Sequence, residues 1–175
     1  MEMTGLIDST ELRVQLEQLH QESYGWALYC CARDSSQAED VLQSVYLKIL
    51  EGKARFDGKS ALKTWLFAVI RRTAADERRR SRWRRFWLGG NQSDVEPAAE
   101  PDNLDETIDR MRVQALFQRA LEDLPGRQRE VLQLVFCYDL SLADAARVMK
   151  VSLGSARTHY ERGKKRLRHW LKDFQ

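Results

Sequence analysis

The chain has 175 residues, of which 43% are hydrophobic and 31% charged, with a formal net charge of +3. That suffices for one ordinary domain or two small ones with packed cores, and the absence of any run of about 18 apolar residues excludes a membrane-spanning helix. The N-terminus is polar, so no secretory leader is expected, and three cysteines (Cys30, Cys31, Cys137) without Cys-x-x-Cys or Cys/His spacing exclude a disulfide framework and a zinc site; the expectation is a cytoplasmic protein with reduced thiols.

Helical periodicity runs through almost every segment, strand alternation is scarce and there are only three prolines, which predicts an all-α fold. The first part, residues 9–88, should hold a helix near Glu11–Ala32 and a polar turn at Asp34-Ser35-Ser36 suited to an N-cap. A second helix follows from about Gln37 to Glu51, stopping at Gly52. Its apolar stripe is Ala38, Val41, Leu42, Val45, Tyr46 and Ile49. The opposite face carries Asp40, Gln43, Ser44 and Leu47. A leucine framed by an acid and an amide reads either as an ordinary exposed leucine or as an anchor for a partner helix.

After a loop containing Gly58, a third helix should begin near Ser60 or Leu62 and continue through Trp65 and Val69 into an arginine block. From Arg71 to Arg85 there are eight arginines against two acids. Mutual repulsion this dense suits a polyanion-facing surface. Phe56, Trp65, Phe67, Trp83, Phe86 and Trp87 lie among these bases, a mixture suited to stacking unpaired nucleobases while cations hold the backbone. Trp65, with Val69 at i+4, reads first as a core position and only second as a nucleobase platform. Trp83, Phe86 and Trp87 fit either packing on the second domain or docking on a partner protein.

Residues 89–106 read as a flexible acidic linker: Gly89-Gly90, Pro97 and Pro101 punctuate it, and from Leu88 to Asp109 there are seven acids and no base. The last part, 107–175, should contain helices near 107–122, 127–137, 141–149 and 153–172, with a boundary at Leu124-Pro125-Gly126 and N-caps at Ser141 and Ser152. The short helix buries Ala145, Ala146 and Val148. A tight connection, Lys150-Val151-Ser152, leads into the longer helix, whose packed face is Ala156, Tyr160, Gly163 and Leu167. Its other face offers Arg157, Thr158, Glu161, Arg162 and Lys165. This is a helix-turn-helix whose second helix has the character of one that enters a major groove. Glu161 would repel phosphate, so a base edge or solvent suits it better. No nucleophile–base pair, phosphate-cradling glycine loop or metal cluster stands out, so neither catalysis nor a cofactor is expected.

The strings Leu124-Pro-Gly-Arg-Gln-Arg-Glu-Val-Leu-Gln-Leu134, Leu140-Ser-Leu-Ala-Asp-Ala-Ala-Arg-Val-Met149 and Val151-Ser-Leu-Gly-Ser-Ala-Arg-Thr-His-Tyr-Glu-Arg162 resemble region 4 of extracytoplasmic-function sigma factors. They are also similar, less specifically, to LuxR-type regulators. The strings Ala38-Glu-Asp-Val-Leu-Gln-Ser-Val-Tyr-Leu-Lys-Ile49 and Arg55-Phe-Asp-Gly-Lys-Ser-Ala-Leu-Lys-Thr-Trp-Leu-Phe-Ala-Val-Ile-Arg-Arg72 resemble region 2 of the sigma family, in its order and spacing. A LuxR-type chain would usually carry a receiver or ligand-binding domain there.

The resemblance implies a transcription initiation factor that binds core RNA polymerase (β′ and β subunits) and promoter DNA, under an anti-sigma factor. It implies that Asp40, Gln43, Ser44 and Leu47 grip the polymerase, with Ser44 standing where the family usually has an acid. It implies that Lys59, Ser60, Lys63, Trp65, Arg71, Arg72, Arg78 and Arg79 serve melting and the −10 element. The family often has asparagine where Thr73 stands, so no base contact is assigned there. Ser155, Arg157, Thr158, His159, Arg162, Lys165 and Arg166, supported by Lys164, are implied to contact the −35 element.

Overall fold

A computed structural model describes residues 9–88 and 117–172. The chain divides into two compact units, Met1–Ala98 and Ala99–Gln175. Among the described residues every regular element is a helix: α1 (Ser9–Gln18), α2 (His20–Cys30), α3 (Ser35–Leu50) and α4 (Leu62–Leu88) in the first unit, and α5 (Gly126–Phe136), α6 (Leu142–Met149) and α7 (Leu153–Lys172) in the second. Residues 117–122 are also helical. The acidic linker expected at 89–106 and the start of the helix expected at 107–122 lie outside the described residues.

The single helix expected over 11–32 is divided at Leu19. Its ψ of 0° pulls the backbone off the helical path, yet the ladder carries across: the Leu19 N–H reaches the Gln15 carbonyl at 3.1 Å and Ser23 N–H the Leu19 carbonyl at 2.9 Å. The chain ends α2 by taking Ala32 and Arg33 through positive φ (54° and 67°), which lets the Arg33 N–H close back on the Leu28 carbonyl at 2.8 Å. Asp34 then caps α3, its carboxylate accepting from Gln37 N–H at 3.0 Å. α3 therefore starts two residues earlier than the small polar turn suggests, because an aspartate at the N-cap satisfies an otherwise orphaned amide.

The first core is built around Trp26, which is fully buried. It stacks on Phe67 (5.6 Å between centroids) and on Tyr29 (5.0 Å), and its indole N–H donates to the Phe67 carbonyl at 3.0 Å. Ala38, Val41, Leu42, Val45 and Ile49 of α3 close over it, with Leu62, Leu66, Ile70 and Ala74 of α4. The Tyr46 expected on that stripe is only half-buried; its hydroxyl shares a 3.1 Å hydrogen bond with His20 Nδ1. α4 stays helical for 27 residues, but beyond Ala74 its exposed side chains leave the bundle.

The second unit is held by small residues and caps. Arg129 reaches back to the carbonyls of Glu122 (2.8 Å) and Leu124 (3.2 Å), stitching the Leu124-Pro125 boundary. Ser141 caps α6: its Oγ accepts from Asp144 N–H at 3.1 Å and donates to the Asp144 carboxylate at 2.6 Å. α6 ends on Lys150 in the left-handed conformation (φ 54°, ψ 50°), and that one residue makes the tight turn. Ser152 caps the next helix, accepting from Ser155 N–H at 3.1 Å. Gly163 lets α7 lie against α5. A Cβ there would sit 2.9 Å from Leu132 Cδ1 and 3.3 Å from Gln128 Cβ, so a side chain must displace Leu132 and crowd Gln128.

Candidate polymerase and nucleic-acid interfaces

The first surface is the solvent side of α3. Asp40 and Gln43 are exposed, Ser44 is half-buried and Leu47 is 56% exposed; the helix brings these four expected residues together on one face. Sequence reasoning missed Leu50, which is 78% exposed. Its signal was available, since a residue at i+3 from Leu47 falls next to it. The other side of α3 is tied to α4 by Lys48, whose Nζ donates to Thr73 Oγ1 at 3.0 Å. Thr73 is buried.

The second surface is the loop before α4 together with α4 itself. Asp57-Gly58-Lys59 forms a tight turn. Gly58 has φ 70°, and Asp57 Oδ1 accepts from the Lys59 amide at 3.2 Å. That backbone bond, then the Lys59 side chain, whose ammonium stands 3.3 Å away, holds the Asp57 carboxyl below its usual range. Ser60 Oγ donates to the Ala61 carbonyl at 3.3 Å.

At about 100° per residue, Trp65, Arg72, Arg79 and Trp83 fall on one side of α4, opposite Phe67, Ile70 and Ala74, and Phe86 extends the row. Trp65 is neither in the core nor fully open. It is half-buried, with its ring edge-on to Phe56 at 5.4 Å. The core role belongs to Phe67 and Trp26 instead. Trp83, Phe86 and Trp87 are 61%, 83% and 74% exposed.

Not all the expected residues join this row. Lys63 lies on the buried flank, ion-paired with Glu22 and 5.9 Å over the Phe67 ring. Arg71 and Arg78 point along a different line. Arg78 is close enough to Cys31 to offset part of the burial that pushes that thiol up to about 11. Arg79 is paired with Asp76 at 3.4 Å, as is Arg80 with Glu77 at 3.1 Å.

The third surface is α7. Ala156 and Leu167 are buried and Gly163 faces α5. Tyr160 is half-buried, stacked on Phe136 at 6.0 Å with Lys164 Nζ over its ring at 4.9 Å. Measured from Ala156, Gly163 and Leu167, Thr158, Glu161, Arg162 and Lys165 lie about 120–180° round the helix, and Ser155, Arg157, His159 and Arg166 lie about 60–100° round it. All eight are exposed except His159, which is half-buried. The expected DNA residues thus divide into an outward arc and two flanks. Glu161, unassigned from sequence, stands in the outward arc.

Residues 16–84 match the family model described as Sigma-70 region 2, and residues 114–167 the one described as Sigma-70, region 4. The chain is 31% identical over 154 residues to the ECF RNA polymerase sigma factor SigX of Bacillus subtilis, covering 85% of this chain and 77% of that one. It is 31% identical over 145 residues to the ECF RNA polymerase sigma factor SigC of Mycobacterium tuberculosis, covering 79% and 72%. Among solved structures, it is similar to the sigma factor RpoE in complex with the anti-sigma factor NepR from Bartonella quintana, with a TM-score of 0.67 and 25% identity over 93% of this chain and 98% of that one.

Proposed function

This chain belongs to the extracytoplasmic-function sigma factors of the sigma-70 family, and from that premise we propose how its surfaces divide the work of promoter recognition. The observation that carries the reading is the presence of regions 2 and 4 in one chain, in that order. The LuxR-type alternative explains only the second.

The α3 face of Asp40, Gln43, Ser44 and Leu47, extended by Leu50, docks on the β′ subunit of core RNA polymerase. Leu47 supplies the apolar anchor, and the polar groups fix its register. The loop 57–63 and the outward row of α4 hold the melted −10 element, with Trp65 offering a face for an unstacked base and Arg72 and Arg79 neutralising phosphates. α7 enters the major groove of the −35 element. Thr158, Arg162 and Lys165 face base edges, and Ser155, Arg157, His159 and Arg166 face the strands on either side.

Residues 89–106 tether the two contacts along the polymerase, so each contact of modest affinity becomes intramolecular once the other forms. The chain contributes binding rather than chemistry, and nucleotide addition stays with the core enzyme in the cytoplasm. An anti-sigma factor masking one or both units supplies the control, a reading supported by the likeness to a sigma factor bound to one.

The deciding experiment is transcription in vitro from a promoter library with core polymerase, with and without the purified chain. The expected outcome is co-purification with core and start sites that appear only when the chain is added. Failure of both rejects the assignment of these surfaces.

A further inference from the structure

We propose that Glu161 selects a cytosine in the upstream duplex element. It does so by accepting a hydrogen bond from the exocyclic N4 amino group in the major groove. The proposal rests on the reading of α7 as the groove-entering helix and adds a specificity residue to it.

Glu161 is the only acid among seven bases between Ser155 and Lys172. If it lay on a flank of α7 it would meet phosphates and oppose binding. It lies instead about 140° from the packed face, in the arc it shares with Thr158, Arg162 and Lys165. Its side chain is 62% exposed, and its ion pair with Lys164 is long, at 4.0 Å. Lys164 is itself committed to the Tyr160 ring, 4.9 Å away. The carboxylate therefore enters the groove with its acceptor capacity unspent by a close cation among the described residues.

A carboxylate only accepts. In the major groove guanine presents N7 and O6 and thymine presents O4 and a methyl group, so neither offers a donor. Against either base the carboxylate would lose water and gain nothing, which penalises a charged group heavily. Adenine offers its N6 amino group, but the N7 acceptor beside it repels the second carboxylate oxygen. Cytosine offers N4–H₂ with no acceptor on its own ring beside it; the nearest is the O6 of the paired guanine, already bonded to N4. Arg162, the next residue, has the donor fork that suits guanine O6 and N7. Acid and arginine at the two sides of one outward arc thus suit a C·G pair and a neighbouring pair. The acid adds rejection of wrong bases, which basic residues alone do not provide.

The test uses holoenzyme reconstituted from full-length chain and core polymerase, with promoters randomised across the upstream duplex element. Wild type should show one position where cytosine is favoured by about tenfold. Glu161→Ala should flatten that position alone, and Glu161→Gln should move its preference toward adenine, which glutamine can bond at N6 and N7. Thermal unfolding of both variants checks that α7 is intact. Unchanged preferences with Glu161→Ala, or a uniform gain in binding to every sequence, would overturn the proposal. If Arg162→Ala alters the preferences while Glu161→Ala does not, α7 still reads DNA and only the role of Glu161 falls. If neither variant alters them, the groove-entering reading falls as well.

Discussion

The two units solve the same problem, holding a helix so that one face stays available, in different ways. The first uses a large plug. Trp26 stacks on Phe67 and Tyr29 and is pinned by its indole hydrogen bond. The second uses close approach, with Ala145, Ala146, Ala156 and Gly163 bringing backbones together and serine caps fixing both ends of the turn. Their charged surfaces differ too. In the first unit several cations are already partnered, Lys63 by Glu22, Lys59 by Asp57, Arg79 by Asp76 and Arg80 by Glu77, while Arg72 and Arg78 are exposed. In the second, Arg157, Arg162, Lys165 and Arg166 are exposed. If both surfaces meet DNA as proposed, the first exchanges part of its ion pairs for phosphates, whereas α7 already presents these four cations to solvent.

The largest expected effects test the packing half of this comparison. Trp26→Ala removes the plug together with its indole hydrogen bond to the Phe67 carbonyl, so the first unit should lose about 3–5 kcal/mol. Gly163→Leu drives a side chain into Leu132 and Gln128 and should cost the second unit up to about 3 kcal/mol by overpacking. Hydrogen exchange on the full chain reads each unit by its own amides. Little change at Gly163→Leu would mean that close approach is not what seats α7.

The next effect is on binding rather than folding. Leu47→Glu places a charge at the proposed centre of the polymerase contact. Because Leu47 is 56% exposed, stability should move by no more than about 0.5 kcal/mol. Affinity for core enzyme should fall by at least about 2 kcal/mol, measured by competition against a labelled sigma factor. Undiminished binding would remove α3 from the interface.

The second unit was the more legible of the two in the sequence. The bounds of α6 and α7, the serine caps and the packed face of Ala156, Gly163 and Leu167 all follow from local chemistry: cap preferences and a 3.6-residue period over a short stretch. The left-handed Lys150 was not legible, because no glycine or asparagine marks it. In the first unit the element order and the outward Leu47 were readable, but several details depended on other helices. Lys63 reads from the sequence as one more DNA-facing base, and its ion pair with Glu22 of α2 depends on a distant part of the chain. Trp65 and Phe67 are two residues apart in an aromatic-rich stretch, and only the position of Trp26 decides which of them is core. The break at Leu19 has no sequence signal, since leucine is a good helix former. Charge-bearing sites are hard to read for the same reason: periodicity gives the face, while partners come from distant parts of the chain.

The smallest expected effect probes the electrostatic half of the comparison most directly. Glu22 is 46% exposed and Lys63 22% exposed, so their pair lies between a surface bridge and a buried one. Removing the carboxylate with Glu22→Gln should cost the first unit less than about 1 kcal/mol, since part of the pair is in water. If Lys63 is meant for the melted strand, the same substitution frees its ammonium. Holoenzyme affinity for a pre-melted promoter should then rise severalfold at low salt, and the gain should shrink as salt screens the phosphates. Lys63→Met in the same background should abolish the gain. If Glu22→Gln lowers stability but leaves strand affinity unchanged, Lys63 is a strut between α2 and α4. The phosphate contacts of the first unit would then fall to Lys59 in the loop and to Arg72 and Arg79 on the outward row, and the exchange of ion pairs would be left to Lys59 with Asp57 and Arg79 with Asp76.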